Sequence, residues 1–139
     1  HTLDKMFYTT GLSVESVTAA GQNFLTDDDV EASAQIFLKL SGGVSAAFTY
    51  CGCHVPSQYE TYFYFTEGVA YIRGGSELWI SERGGALEKI ELDYDKDYFV
   101  PQLEEFLKLM DGEESEAVTP EYGREVISVL ERAFRQIEG

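Results

Sequence analysis

Two residues at the start of the chain have the types and spacing for acid–base chemistry. His1 and Asp4 lie three positions apart in residues 1–11, whose apolar spacing predicts one amphipathic helix that ends at Gly11. Side chains at this spacing share one helix face, here on the first turn. A histidine shuttles protons near neutral pH, and a neighbouring carboxylate can orient its ring. The alternative is a frayed end or a purification-tag remnant.

Three soft metal ligands lie close together in mid-chain. Cys51, Cys53 and His54 fall within four residues, and thiolates and imidazoles are ligands that zinc prefers. The usual zinc motif has two residues between its thiolates, however, and on a strand His54 would point away from both cysteines. A disulfide between the cysteines would be strained. The pattern favours thiols that pack in a sheet or line a pocket, and we predict no metal site; a small acidic metalloprotein stays an open alternative.

The composition argues against several classes of function. The chain has 139 residues, 44% of them hydrophobic, and a formal net charge of −15. Nucleic acid and anionic membrane surfaces are unfavourable partners, because binding a polyanion requires lysines and arginines. The sequence contains no glycine-rich phosphate loop and no recognisable nucleophile motif, so we predict no cofactor-binding residues. With no membrane-spanning apolar run and no secretory leader pattern, we expect a cytoplasmic location.

The elements that must position these residues predict an α+β fold, because a helix is followed by a block of strands and then by two helices. We expect a single domain over residues 1–139, with a large, mainly antiparallel open β-sheet and helices packed on one face. Gly42-Gly43 predicts a tight hairpin turn between the second and third strands. The predicted strands are Leu12–Ala20, Val30–Leu40, Val44–Tyr50, Tyr59–Thr66, Val69–Arg73, Glu77–Glu82 and Leu87–Leu92.

Two helices close the predicted fold. Apolar spacing places the first over Phe99–Met110. Thr119 is the predicted N-cap of the second, with Pro120 at its first helical position. The buried stripe that we predict for this second helix is formed by Val126, Leu130, Ala133, Phe134 and Ile137.

The strand at Tyr59–Thr66 carries aromatic residues on both faces. Neighbouring residues of a strand point to opposite sides, so Tyr62-Phe63-Tyr64-Phe65 places two rings on each face. A face open to water would not favour them. We therefore expect helices on one face and a dimer interface or a substrate wall on the other.

Three stretches spread over the whole chain carry a family resemblance. They are His1-Thr2-Leu3-Asp4 with the helix ending Thr10-Gly11, the mid-chain segment Thr66–Gly74, and the closing segment Val118–Arg124. In order they are similar to the H-x-x-D helix, the G-T-x-G-x-L-x-I segment and the V-T-P-E-D-G segment of one family. The chain thus resembles the C-terminal domain of the glucose–fructose oxidoreductase / inositol dehydrogenase family of NAD(P)-dependent oxidoreductases.

The resemblance implies a two-domain enzyme of which this chain is the C-terminal substrate-binding and oligomerisation domain. A missing N-terminal dinucleotide-binding domain would hold NAD or NADP and supply the active-site lysine and glycine-rich loop that this chain lacks. Hydride would pass between nicotinamide and a secondary alcohol of a sugar or cyclitol. The family's H-x-x-D histidine maps onto His1 and its carboxylate onto Asp4. The chain is then a fragment that begins at the domain junction and is inactive alone.

A rival hypothesis treats the chain as a free-standing binding or scaffold domain. It would bind a small molecule or a partner protein through the open sheet, and His1 would be no more than a terminus. The coding sequence upstream of His1 separates the two hypotheses. A strand, a G-x-G-x-x-G turn and a helix there would favour the dehydrogenase.

Overall fold

The computed structural model describes residues 1–24, 31–52, 58–92, 99–115 and 119–138. The chain forms two compact units, one made of His1–His54 with Glu116–Gly139 and the other of Val55–Ser115. The first unit contains α1 (Thr2–Thr10), β1 (Val14–Gln22), β2 (Ser33–Leu40), β3 (Ser45–Cys51) and α3 (Pro120–Ile137). The second contains β4 (Glu60–Phe65), β5 (Gly68–Arg73), β6 (Glu77–Glu82), β7 (Glu88–Ile90) and α2 (Phe99–Asp111).

The first unit is a three-stranded antiparallel sheet in the order β1-β2-β3 with two helices packed against it. Alternate residues of β2 point into the core, and Leu38 and Leu40 are almost completely buried. α1 contributes Leu3, Met6 and Phe7 to this core, and α3 contributes Val129 and Ala133. The core is therefore built from both ends of the chain.

Side chains of α3 form hydrogen bonds with the backbone groups at the outer edge of β1. The Gln136 amide accepts a hydrogen bond from the Ala19 N–H (3.0 Å) and donates one to the Val17 carbonyl (2.8 Å). Arg132 donates to the carbonyls of Val14 and Glu15, beside an irregularity in the β1–β2 register. An edge strand presents unpaired backbone groups that invite pairing with another chain. In this protein a helix supplies the partners that a further strand would supply.

The second unit is a four-stranded antiparallel meander in the order β4-β5-β6-β7. Its strands pair in simple register, with Tyr62 opposite Tyr71 and Tyr71 opposite Trp79. Gly74 and Gly75 adopt positive φ in the β5–β6 turn, which glycine tolerates because it lacks a Cβ. α2 exposes most of its apolar stripe, including Phe99, Leu103 and Met110.

The predicted elements are confirmed in type and order, and the α+β class with antiparallel strands is confirmed. The described strands fall into two sheets, one in each compact unit. The predicted hairpin is present, with both glycines of the Ser41–Gly43 turn at positive φ. The start of the predicted strand at Val30 lies outside the described residues.

One core prediction for α3 is wrong. Phe134 is 42% exposed, whereas Val129, which the prediction omitted, is buried. The stripe is centred on Ala133 and Val126, so Phe134 lies at its edge while Val129 points inward. Within the described residues, no helix is long and apolar enough to cross a membrane.

Replacing Leu38 with alanine should lower the free energy of unfolding by about 2–5 kcal/mol, because it removes methyl groups from a fully buried site and leaves a cavity. Phe37 is the matched control: it is adjacent, points to the other face and is half exposed, so Phe37→Ala should cost less, within about 1 kcal/mol. Urea unfolding followed by circular dichroism measures both values. Equal losses would contradict the assigned faces of β2.

Candidate active site

The first turn of α1 presents both residues that the sequence selects for acid–base chemistry. His1 is the N-cap residue and is exposed, and its carbonyl accepts a hydrogen bond from the Lys5 N–H (2.9 Å). Asp4 is half-buried. Leu3 and Phe7 of the same helix are buried in the core of the first unit. This packing sets the orientation of α1, and Gly11 ends the helix in the left-handed conformation.

The partner of Asp4 in this structure is Tyr122, at the start of α3. The Tyr122 hydroxyl lies 2.7 Å from Oδ1 of Asp4 and 3.0 Å from its carbonyl oxygen. The contact joins residues 118 positions apart. No hydrogen bond joins the His1 imidazole to Asp4 in the described part of the chain. The structure therefore places the two predicted site residues on one helical turn and adds Tyr122 to them.

Tyr122 is held by its backbone and by its ring. Its N–H donates to Oγ1 of Thr119, the predicted and observed N-cap of α3. Its ring meets that of Phe7 edge-on, with centroids 6.2 Å apart. The only signal of Tyr122 in the sequence is a departure from a pattern, because it stands where the V-T-P-E-D-G motif has aspartate.

Burial and the neighbouring carboxylate of Asp4 raise the pKa of Tyr122 to about 12. Burial disfavours the charged phenolate, and the hydrogen bond to Asp4 stabilises the protonated form. Since the pKa is higher in the folded state than the ordinary value of about 10, this stabilisation is complete below pH 10. It is lost as the pH rises through about 12.

The cysteine-rich segment is only partly described. Cys51 ends β3 and is exposed, whereas Cys53 and His54 lie outside the described residues. Among the residues that are described, no cluster of three histidine, cysteine, aspartate or glutamate side chains has metal-binding geometry.

A groove of about 520 Å³ lies along the other flank of α3, beside Val14 of β1. It is lined by Arg124 and Arg132 and also by Glu121 and Glu125, so charges of both signs balance. His1 and Asp4 do not line it. This groove is therefore separate from the predicted acid–base pair.

In the second unit, one face of the sheet carries a row of aromatic side chains. Tyr62 stacks on Tyr71 with centroids 4.4 Å apart and on Tyr64 at 6.1 Å. The Tyr71 hydroxyl donates a hydrogen bond to Glu60 (2.8 Å). Burial is the main cause that raises the pKa of Tyr71 to about 12, and this hydrogen bond is the second. Tyr64 is 77% exposed. The two-faced strand predicted from the sequence is thus present, with its tyrosine face open in this chain.

The next row of the same face bears charges. Lys89 Nζ lies 3.0 Å from Glu77 and 6.0 Å from the centroid of the Trp79 ring. Its ammonium group holds the pKa of Glu77 below the usual range. The face therefore combines stacked phenol rings with a paired cation and carboxylate.

Comparisons with known proteins identify the fold. No protein-family model matches the sequence, and no curated protein matches it. Among solved structures, the chain is similar to UDP-N-acetylglucosamine 3-dehydrogenase GnnA from Acidithiobacillus ferrooxidans, with a TM-score of 0.87 and 20% identity over 99% of this chain and 45% of that one. It is also similar to aldose-aldose oxidoreductase from Caulobacter crescentus, with a TM-score of 0.82 and 20% identity over 99% and 43% of the two chains.

A third similar structure is the WlbA dehydrogenase from Bordetella pertussis, solved in complex with NADH and UDP-GlcNAcA, with a TM-score of 0.77 and 16% identity over 99% of this chain and 42% of that one. The chain spans less than half the length of each of these proteins. It has the α+β fold of the C-terminal domain of glucose–fructose oxidoreductase-like enzymes. The resemblance carried by the sequence motifs is confirmed at the level of the fold.

Replacing Asp4 with asparagine should lower the pKa of Tyr122 from about 12, because the carboxylate no longer stabilises the phenol proton, while burial keeps it above the ordinary value. NMR titration of tyrosines labelled at the ζ carbon measures this, and Tyr122→Phe assigns the resonance. Tyr71, whose pKa is also raised to about 12 but by burial and Glu60, should not move. An unchanged Tyr122 midpoint would show that its contact with Asp4 has no electrostatic effect.

Proposed function

We propose that this chain is the substrate-binding domain of a longer NAD(P)-dependent oxidoreductase that acts on a secondary alcohol of a sugar or cyclitol. The observation that supports this best is the structural likeness to GnnA, aldose-aldose oxidoreductase and WlbA over 99% of the chain. Each is an oxidoreductase or dehydrogenase more than twice as long. The activity then belongs to a protein that includes residues beyond the 139.

The described residues do not fit a dinucleotide cofactor. Such cofactors bind where a parallel strand leads through a glycine-rich turn to the N-terminus of a helix. The described strand pairs here are all antiparallel, and the sequence has no G-x-G-x-x-G motif. In our proposal NAD or NADP is held by an N-terminal domain outside this chain, which is inactive alone.

His1 and Asp4 are the residues of this chain that we assign to the reaction. A neutral histidine can accept the proton of an alcohol whose carbon is losing hydride, and can return it in the reverse direction. His1 is exposed at the end of α1, where a substrate can reach its imidazole. Asp4 lies one turn away with its carboxylate hydrogen-bonded to Tyr122, and we assign it to orient the imidazole of His1.

The longer protein should reduce NAD or NADP when it is supplied with its sugar substrate, and residues 1–139 alone should not, because hydride transfer requires the cofactor beside the substrate. The test begins with the coding sequence upstream of His1 and continues with the absorbance of reduced nicotinamide across UDP-sugars, aldoses and cyclitols. Replacing His1 with asparagine in the longer protein should lower kcat by about 100-fold, as loss of a general base does.

Two results would contradict the proposal. One is a start codon within a few residues of His1. The other is an intact longer protein that binds neither NAD nor NADP in a calorimetric titration. Either result would favour the free-standing binding domain, whose open sheet face carries Tyr62 and Tyr64.

We further propose that the tyrosine face of the second unit joins two copies of the chain. Tyr62, Tyr64, Tyr71 and Trp79 offer large ring area, and aromatic residues are enriched in interface cores. The paired Lys89 and Glu77 place both charges on the same face, so two copies can meet without net repulsion. The same surface could instead form a substrate wall in a monomer, which the next experiment separates from an interface.

Replacing Tyr64 with arginine should convert a dimer into a monomer at micromolar concentration, because it places an unpaired charge in the proposed interface. Phe65→Arg is the matched control: Phe65 is the next residue, it points to the opposite face and it is 61% exposed. Sedimentation velocity of the unmodified chain, Tyr64→Arg and Phe65→Arg measures the states. A monomeric unmodified chain would count against the interface and favour the substrate wall.

A further inference from the structure

We propose that Tyr122 is a positioning residue for the acid–base pair, because its hydroxyl fixes Asp4 on the helical turn that carries His1. This inference rests on the proposed function, in which His1 and Asp4 act on the substrate alcohol. It adds a residue from the far end of the chain, 118 positions from Asp4. Tyr122 acts through Asp4 and has no assigned contact with substrate.

The geometry at Asp4 gives the hydroxyl a directional role. A phenol has one proton to donate, and the shorter distance, 2.7 Å, is to Oδ1 of the carboxylate. The bond determines which way the carboxylate faces. A carboxylate accepts several hydrogen bonds on its two oxygens, so Oδ2 can still accept one from an imidazole or a substrate hydroxyl. Tyr122 thus orients Asp4 without using up its accepting capacity.

Tyr122 is anchored to the first unit by contacts of its backbone and of its ring. Its N–H is bonded to the Thr119 cap, and its ring packs on Phe7. Further along α3, Val129 and Ala133 are buried in the core. Groups carried by packed helices hold a site more tightly than groups carried by loops. The hydroxyl of Tyr122 can therefore serve as a fixed reference point for the first turn of α1.

The role of the hydroxyl can be separated from that of the ring. In Tyr122→Phe the ring can keep its contact with Phe7, and the helix cap involves only the backbone of residue 122. The substitution therefore removes the bond to Asp4 and leaves the packing in place. Tyr50, an exposed tyrosine on β3 of the same unit, provides the matched control Tyr50→Phe.

The first arm of the test uses residues 1–139 and needs no activity. Carboxyl and amide NMR resonances of Asp4 and its neighbours on α1 are compared in the unmodified chain, Tyr122→Phe and Tyr50→Phe. Tyr122→Phe should shift the Asp4 carboxyl resonance, and Tyr50→Phe should not. Circular dichroism checks that both variants keep the fold. An Asp4 resonance that does not respond to Tyr122→Phe would overturn the proposal outright.

The second arm uses the longer protein and measures kcat, KM and the dependence of kcat on pH. Tyr122→Phe should lower kcat by about tenfold with little change in the KM for NAD(P). In the plot of kcat against pH, it should also shift the same limb that Asp4→Asn shifts. The double variant should be no slower than Asp4→Asn, since a residue that acts through Asp4 has nothing to position once the carboxylate is gone. Tyr50→Phe should match the unmodified enzyme.

The outcomes separate this inference from the proposed function. Losses in kcat that multiply in the double variant, or an unmoved pH profile in Tyr122→Phe beside an altered one in Asp4→Asn, would show that Tyr122 is only structural. In that case the assignment of His1 and Asp4 would stand. If Asp4→Asn and His1→Asn both left kcat unchanged, the proposed function of the pair would fail, and the positioning role would fail with it.

Discussion

The attachment of α3 to β1 and α1 is the interaction on which the first unit depends. β1 is paired with β2 on one side, and its other edge would face solvent with open backbone groups. Gln136 and Arg132 bond those groups, while Val129 and Ala133 close the core beneath them. α3 thus shares with α1 in covering one face of the three-stranded sheet, and it also supplies hydrogen-bond partners to the edge of β1.

The same helix contributes Tyr122 to the candidate site at the first turn of α1. The stripe that packs α3 on the core also sets the direction of its first turn, from which Tyr122 reaches Asp4. The cap at Thr119 and the proline after it fix where that turn begins. The site at α1 is therefore a product of core packing, since neither helix alone brings the phenol and the carboxylate together.

The second unit has a different balance of polar and apolar surface. Its meander is held by pairing between strands that are neighbours in sequence. On its tyrosine face, Tyr62 stacks on Tyr71 and Tyr64, and Tyr64 remains exposed to solvent. The apolar stripe of α2 is also exposed. Contiguous apolar surface is a common feature of interaction sites, and it is the basis of the interface proposed for this face.

Where the physical cause is local, the sequence was sufficient. α1 ends at Gly11 because glycine tolerates its positive φ, and β5 ends at the Gly74-Gly75 turn for the same reason. The placement of His1 and Asp4 on one turn follows from helical spacing alone, and the N-cap at Thr119 follows from its residue type and the proline after it. Such features depend on residues within about one helical turn or one strand, so the chain specifies them before it folds.

Tertiary structure decided the rest, because the decisive contacts join distant residues. Whether Val129 or Phe134 is buried depends on how α3 packs on the sheet. The helical periodicity of the sequence places both residues near the edge of the apolar stripe, so it does not decide between them. No spacing rule connects Tyr122 to Asp4 across 118 positions. Amino-acid types and local periodicity determined the elements and proposed the acid–base pair. Only the packing of the two chain ends into one core gave Asp4 its partner, since a hydrogen bond forms where folded helices bring donor and acceptor within reach.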